Sequence, residues 1–302
     1  IEPPQLILPL GTQVVTLTEV RSPTGHPSHP RGAVGVITQS PSDYWHSYRV
    51  KFPDGLEVSL RRQDLTVLSQ YQSDIATPLL EYNLYNHVIY RCIIGSRAYG
   101  LSHDDSDTDR RGIYLPPAHL HWSLYGVPEQ LDNPDNQEVY WELQKFIVLA
   151  LKANPNILEC LYTPLVEHAS PLAAELLSMR HIFLSKLLYQ TYNGYVLSQF
   201  KKLQADLRNK GEPKWKHVMH LIRLLLSGIT ALREAHVPVD VAEHRQTLLS
   251  IRRGEINFLE VEQWRLDLHK QFDQAAQSTP LPDKPDYARA NEFLLKARQS
   301  AI

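Results

Sequence analysis

Ile93-Ile94-Gly95-Ser96-Arg97-Ala98-Tyr99-Gly100-Leu101-Ser102-His103-Asp104-Asp105-Ser106-Asp107-Thr108-Asp109-Arg110-Arg111-Gly112 is the stretch on which the reading of this chain turns. Its apolar beginning, with Tyr90-Arg91-Cys92 before it, reads as a buried strand. Gly95-Ser96 reads as a turn, and Gly112-Ile113-Tyr114-Leu115 as a second strand with Asp107 and Asp109 at its mouth. Side chains two apart on a strand share a face, so Asp107 and Asp109 can converge on one place while Thr108 turns away. Two carboxylates that close repel unless a cation sits between them. Such hard oxygen ligands suit Mg²⁺, which keeps several waters and completes its shell with one or two carboxylates and a substrate's phosphates. Gly95 would let backbone approach a phosphate, and the Ser96 hydroxyl and the amides after it could donate to one. A solvated acidic turn is the plainer alternative for residues 104 to 109, and the strand, the Gly-Ser and the spacing together favour a site. A Ca²⁺ loop of the EF-hand type does not fit, because the central Gly and the Glu at the twelfth position are missing.

Gly-Ser followed about ten residues later by Asp-x-Asp resembles the signature of the DNA polymerase β nucleotidyltransferase superfamily. The runs Gly95-Ser96-Arg97-Ala98-Tyr99-Gly100 and Ser106-Asp107-Thr108-Asp109-Arg110-Arg111-Gly112, with Lys145-Phe146 and Asn154-Pro155, are similar to bacterial and phage nucleotidyltransferases called RNA-ligase-associated. The resemblance covers about residues 79 to 298 and leaves the first seventy or so outside. It implies that Ser96 binds a triphosphate and that Asp107 and Asp109 hold two Mg²⁺. It also calls for a third carboxylate on the neighbouring strand. Glu138 is the candidate, in Gln137-Glu138-Val139-Tyr140, with Glu142 the alternate at the start of the next helix. His220 and Arg223 match a His-x-x-Arg of the family's helical half. Arg223 could meet the nucleotide's phosphates or form a buried ion pair between domains, since its fork suits either.

Composition sets the outer bounds. With 302 residues the chain can hold two domains or more, each with its own core. Its 43% hydrophobic and 21% charged residues are those of an ordinary globular protein. No apolar run reaches the roughly eighteen residues that cross a bilayer, and the opening residues do not read as a leader. Two cysteines, Cys92 and Cys160, lie in apolar stretches without partners spaced for zinc, which points to small core residues and a reducing cytoplasm. A net charge of −2 offers no overall attraction to nucleic acid, so any such binding needs a local patch.

The expected architecture is α+β in three parts. Residues 1 to 70 form a small SH3-like β-barrel, 71 to 165 a nucleotidyltransferase core on a mixed sheet, and 166 to 302 a helical domain. In the first part, 13–17, 35–38, 48–52 and 56–60 alternate like short strands between turns at Ser22-Pro23-Thr24-Gly25, Pro30-Arg31-Gly32 and Pro53-Asp54-Gly55. So many short strands in so few residues bury most as a barrel, and the pattern resembles KOW- or Tudor-like modules. Residues 64 to 80 read as a linker that turns into a helix, and 118 to 136, with His119, His121 and Trp122, as an irregular loop near the site. Leu143, Phe146, Ile147, Ala150 and Leu151 make the apolar stripe of a helix. Its Lys145 could reach a phosphate. Asn154-Pro155 caps and opens the next helix. From about 172 to 278 nearly everything is helical, and Val218, Leu221, Ile222, Leu225, Ile229 and Leu232 repeat as a core helix should. The segment Lys201 to Lys216 is the most basic in the chain, and Trp215 gives it one stacking surface for a base.

The expected activity is Mg²⁺-dependent nucleotidyl transfer. Asp107, Asp109 and Glu138 would hold two metals about 3.5–4 Å apart. Gly95, Ser96, Arg97, Lys145 and Arg223 would bind the nucleoside triphosphate. RNA, for example a tRNA end, is the favoured acceptor through Lys201 to Lys216, with no membrane involved. The alternatives are a nucleotide- or RNA-binding protein on the same fold and a transferase that AMPylates protein.

Overall fold

The computed structural model describes residues 7–21, 27–41, 46–75, 82–103 and 106–302. They belong to two compact units, residues 1–81 and 82–302. The turn expected at 22–25, the end of the linker expected at 64–80 and Asp104-Asp105 lie outside the described residues.

The first unit is antiparallel. Its strands are β1 (Gln13–Thr16), β2 (Val20–Arg21), β3 (Pro27–His29), β4 (Val34–Gln39), β5 (Tyr48–Lys51), β6 (Glu57–Leu60) and β7 (Leu65–Val67), followed by helix α1 (Leu68–Ile75). Five of them form one sheet in the order β6-β5-β4-β1-β7, and β2 pairs with β3 as a separate ribbon. This is the small antiparallel β unit expected at the N-terminus, and among the described residues no pairing joins its two edge strands. Alternation along β4 and β5 sends Ile37, Tyr48 and Val50 inward to meet Val14, Val20 and Leu65. This is a small apolar core of its own.

The second unit starts with β8 (Val88–Ile94) and β9 (Asp109–Tyr114), then α2 (Ala118–His121), β10 (Gln130–Asn133), β11 (Glu138–Glu142), α3 (Leu143–Leu151), α4 (Pro155–Tyr162), β12 (Val166–Ala169) and α5 (Pro171–Ser178). The sheet order is β10-β11-β9-β8-β12. Only β9 and β11 run parallel. Two of the five strands, β10 and β12, occupy segments whose sequence carries no clear alternation. The stretch expected as a loop at 118 to 136 thus contributes α2 and an edge strand.

The helical half is α6 (Leu187–Lys210), α7 (Trp215–Glu234), α8 (Arg245–Arg252), α9 (Phe258–Ser278) and α10 (Tyr287–Gln299). Gly211, left-handed at φ 75, ends α6 and turns the chain back into α7. One continuous core joins the sheet to these helices, from Tyr90, Cys92 and Ile113 through Phe146 and Leu158 to Leu225 and Phe272. A domain border near 165 would cut through that core.

Gly112 shows why the centre of the sheet needs a glycine. A Cβ there would run into the Tyr90 carbonyl oxygen.

Candidate active site

Register fixes which side chains can meet. Opposite β9, the β8 residues Ile94, Cys92 and Tyr90 pair with Asp109, Arg111 and Ile113. Paired residues share a face, so Asp109 and Arg111 project to the side where Tyr90, Cys92 and Ile94 join the helical core.

The chain leaves β8 at Gly95, left-handed at φ 73, and makes one tight turn. The Tyr99 amide donates to Gly95 O at 3.0 Å, and the Leu101 amide to Ser96 O at 2.9 Å. Arg97 Nη2 reaches across to Ser106 O at 2.8 Å, tying this turn to the segment that carries Asp107. Asp107 and Asp109 line, together with Gly95 and Ser96, a cavity of about 360 Å³, with the Asp109 carboxylate packed against Gly95. Arg111 stands beside the pair, with Nη2 3.4 Å from Asp109 Oδ1.

The rest of the cavity wall comes from the helical half. Lys216 and His220 of α7 and Arg252 of α8 line it. Arg252 also donates to Leu101 O at 3.3 Å, so α8 is fastened to the chain just after the turn. Burial, with Arg223, Lys216, His217 and Arg252 around it, pushes the His220 imidazole down to about 4. The cavity therefore carries the carboxylates Asp107 and Asp109, the cations Arg111, Lys216 and Arg252, the neutral imidazole of His220 and, near the turn, His103.

Of the eight expected site residues, Gly95, Ser96, Asp107 and Asp109 come together here. Glu138 does not. It pairs with Arg110 across β9 and β11, which sends its side chain to the opposite face of the sheet from Asp109. Its charge is felt there by Tyr85, Arg110 and Tyr140. On Asp109's own face the β11 residue beside Arg111 is Val139, which can bind no metal. Glu142 caps α3 by accepting from the Gln144 amide at 2.9 Å and pairs with Arg298 at 2.7 Å. Lys145 pairs with Glu129 at 2.6 Å and lies off the cavity wall. His119 meets Tyr82 edge-on. Burial and Arg298 lower the His121 imidazole, and neither histidine lines the cavity. Among the described residues no group of three or more His, Cys, Asp or Glu is placed to hold a metal.

Arg223 is buried in an ion pair. Its Nη1 lies 2.7 Å from Glu159 Oε1, its guanidinium sits 3.7 Å over the Tyr99 ring, and Tyr99 donates its hydroxyl to Glu159 Oε2 at 2.6 Å. Burial opposes the Arg223 charge, and Glu159 and Tyr99 outweigh it, so its pKa ends above the ordinary value. The triad joins the signature turn, α4 and α7 and stands behind the cavity.

Chain comparison agrees with this geometry. Residues 68–296 match the RlaP family, described as the RNA repair pathway DNA polymerase beta family. The chain belongs to this family. Among curated proteins it is similar to "Uncharacterized protein YcgL" of Bacillus subtilis (strain 168), 28% identical over 143 residues, which are 46% of this chain and 54% of that protein. The match thus spans about half of that relative's length. The RlaP match begins after β7, so the N-terminal sheet stands outside it.

His103, Arg111, Lys216, His220 and Arg252 are among the cavity residues that sequence reading did not place. Lys216 and His220 lie in segments that drew notice for charge and for the His-x-x-Arg. Arg252 had a faint signal, a basic last turn before Gly254 that marks a helix end. As with any wall built from distant segments, their convergence is tertiary.

Proposed function

We propose that this cavity moves a nucleoside monophosphate from a nucleoside triphosphate to an acceptor hydroxyl, with RNA the favoured acceptor. The observation that carries the reading is the meeting of Gly95, Ser96, Asp107 and Asp109 with Arg111, Lys216 and Arg252 in one concave site. Carboxylates suit a hard metal and the cations suit a polyphosphate. Membership of a family described by RNA repair supports RNA as acceptor.

The donor set fits Mg²⁺. Asp107 and Asp109 would hold it, and a second ion would have to take more of its shell from phosphate oxygens and water, since Glu138 faces away. When bound, the metal would draw charge from the phosphate oxygens and lower the pKa of the acceptor hydroxyl.

The chain's own groups would do the rest. Ser96 would donate to a phosphate oxygen, and Gly95 would leave room for it. Arg111, Lys216 and Arg252 would offset the charge that builds on the leaving group. The acceptor oxygen bonds to the α-phosphorus as the bond to the bridging oxygen breaks. Pyrophosphate leaves with that electron pair, and the hydroxyl proton passes to water.

That Glu138 faces away from the Asp pair supports one other reading, a protein of the same fold that binds nucleotide without transferring it. The test is transfer of label from each α-labelled ribonucleoside triphosphate, with Mg²⁺, to total RNA and to total protein, beside Asp107→Ala/Asp109→Ala. Label in RNA that vanishes in the double variant is the expected result. Label in protein would replace the acceptor, and nucleotide binding without any label would favour the binding protein.

A further inference from the structure

The helical hairpin that feeds Lys216 into the cavity carries a set of cations with no task inside the fold. Lys201, Lys202, Arg208 and Lys214 are exposed, as is Lys216 itself. None of the five is in an ion pair among the described residues, whereas Lys145, Lys186, Arg265 and Lys296 elsewhere each hold a carboxylate. Of the two acidic residues in the segment, Asp206 is taken by His217 at 2.7 Å, and the exposed Glu212 forms no ion pair among the described residues, so the cations outnumber the acids.

Helix geometry sets where these cations point. Leu203 is 2% exposed and marks the packed side of α6. At 100° per residue, Lys201 and Arg208 both fall well over a quarter turn from Leu203, on the outer side, and they lie about 10 Å apart along the axis. The Asp206–His217 pair clamps this end of α6 to the start of α7, and Arg208, two residues or about 200° on from Asp206, points away from α7, while Lys216, which precedes His217, lines the cavity. Lys201 and Arg208 thus mark the outer side of α6, Lys214 follows at the turn into α7, and Lys216 and Arg252 share the cavity wall.

We propose that this outer side of the α6–α7 hairpin is the path along which a single-stranded RNA acceptor approaches the cavity. The inference rests on the transferase reading for the direction of the strand, whose hydroxyl end enters the cavity while its upstream phosphates lie on α6. A row of point charges with no aromatic platform reads backbone and not bases. Trp215 supplies no such platform. It is half-buried against Phe258 and lies over Gly254, where an added Cβ would come within 2.7 Å of its indole nitrogen. Binding is accordingly independent of sequence and strongly dependent on salt.

The test uses the whole chain and a fluorescein-labelled single-stranded RNA of mixed sequence, followed by anisotropy across a salt series without nucleotide. The variant Lys201→Ala/Lys202→Ala/Arg208→Ala/Lys214→Ala leaves every cavity residue in place. It should bind at least tenfold more weakly at low salt, and the slope of log affinity against log salt should shrink by about 3, near 0.7 for each cation lost on a single strand. The corresponding variant that keeps charge, with Lys for Arg208 and Arg for the three lysines, should bind as the unchanged chain does. Equal binding by the alanine variant would overturn the path. So would equal affinity for poly-glutamate of matched charge, which would make the surface a general anion binder. Asp107→Ala/Asp109→Ala should bind RNA normally. Loss of transfer with RNA binding still dependent on the four cations removes the transferase reading and keeps the surface, and transfer with RNA binding indifferent to them does the reverse.

Discussion

A Cβ on residue 95 would sit 2.5 Å from Asp109 Oδ2. Glycine at the end of β8 is thus required twice, once by the left-handed backbone at φ 73 and once by the carboxylate packed against it. Gly95→Ala should cost about 1–3 kcal/mol in backbone strain and displace Asp109. The expected outcome is a folded protein with a lower Tm and at least ~10²-fold less nucleotidyl transfer, as a misplacement of 1 Å at a reacting centre can cause. Transfer at the unchanged rate would show that the apposition does not position the carboxylate.

The two faces of the sheet make a second contrast. Glu138 and Asp109 lie on adjoining strands, and only Asp109 reaches the cavity. Asp109→Asn should abolish Mg²⁺-dependent transfer, while Glu138→Gln should stay within about twofold of the unchanged enzyme, as a surface change away from the chemistry does. Parallel assays of the two variants over a Mg²⁺ titration decide this. A large loss in Glu138→Gln would mean that a carboxylate on the far face takes part.

How much of this was legible in the sequence depends on the range of the interaction that settles each point. The Gly-Ser turn, the Asp pair, the N-cap at Asn154 and the stripe of α7 are local, set by neighbours one to four residues away, and these could be read. The side on which Glu138 falls depends on its register with Arg110, 28 residues earlier, and a one-residue slip inverts the answer. β10 and β12 are edge strands made by pairing with β11 and β8, not by their own alternation. Arg252 reaches the cavity only because α8 folds back onto Leu101, a partner 151 residues away. The N-terminal strands were visible as strands, and their order in the sheet was not, since β1 lies between β4 and β7, a pairing made by residues far apart in the chain.

The buried triad behind the cavity yields a stability prediction. Arg223 is 6% exposed and Glu159 1%, so removing one charge leaves the other buried without its counter-ion. Glu159→Gln should lower stability in urea by about 3–5 kcal/mol. Tyr99→Phe, which deletes one hydrogen bond to the carboxylate, should cost about 1.5–3 kcal/mol. Tyr99 also lines the cavity, so the milder variant should reduce transfer as well as stability. A Glu159→Gln chain as stable as the original would mean that the pair is not held as a charged pair.

His220 gives the fold a dependence on pH whose direction follows from its surroundings. Its imidazole is pushed from 6.5 to about 4 by burial first and then by Arg223, Lys216, His217 and Arg252. Between those two values the unfolded chain binds a proton that the folded chain declines, so stability is present above pH 6.5 and is lost as the pH falls toward 4, with no further loss from this group below that. The whole effect amounts to ~3 kcal/mol at most, at 1.36 kcal/mol for each unit. Urea denaturation at pH 7, 5.5 and 4.5 should show a shallower decline for His220→Gln than for the unchanged chain, with the loss relative to pH 7 differing most at pH 4.5. A bound polyphosphate would cancel the charge of Lys216 and Arg252, so inorganic tripolyphosphate with Mg²⁺ at pH 5.5 should drive proton uptake, measurable by calorimetry in buffers of different ionisation enthalpy. Identical pH profiles for the two chains, or binding without proton uptake, would show that His220 does not sense the cations around it.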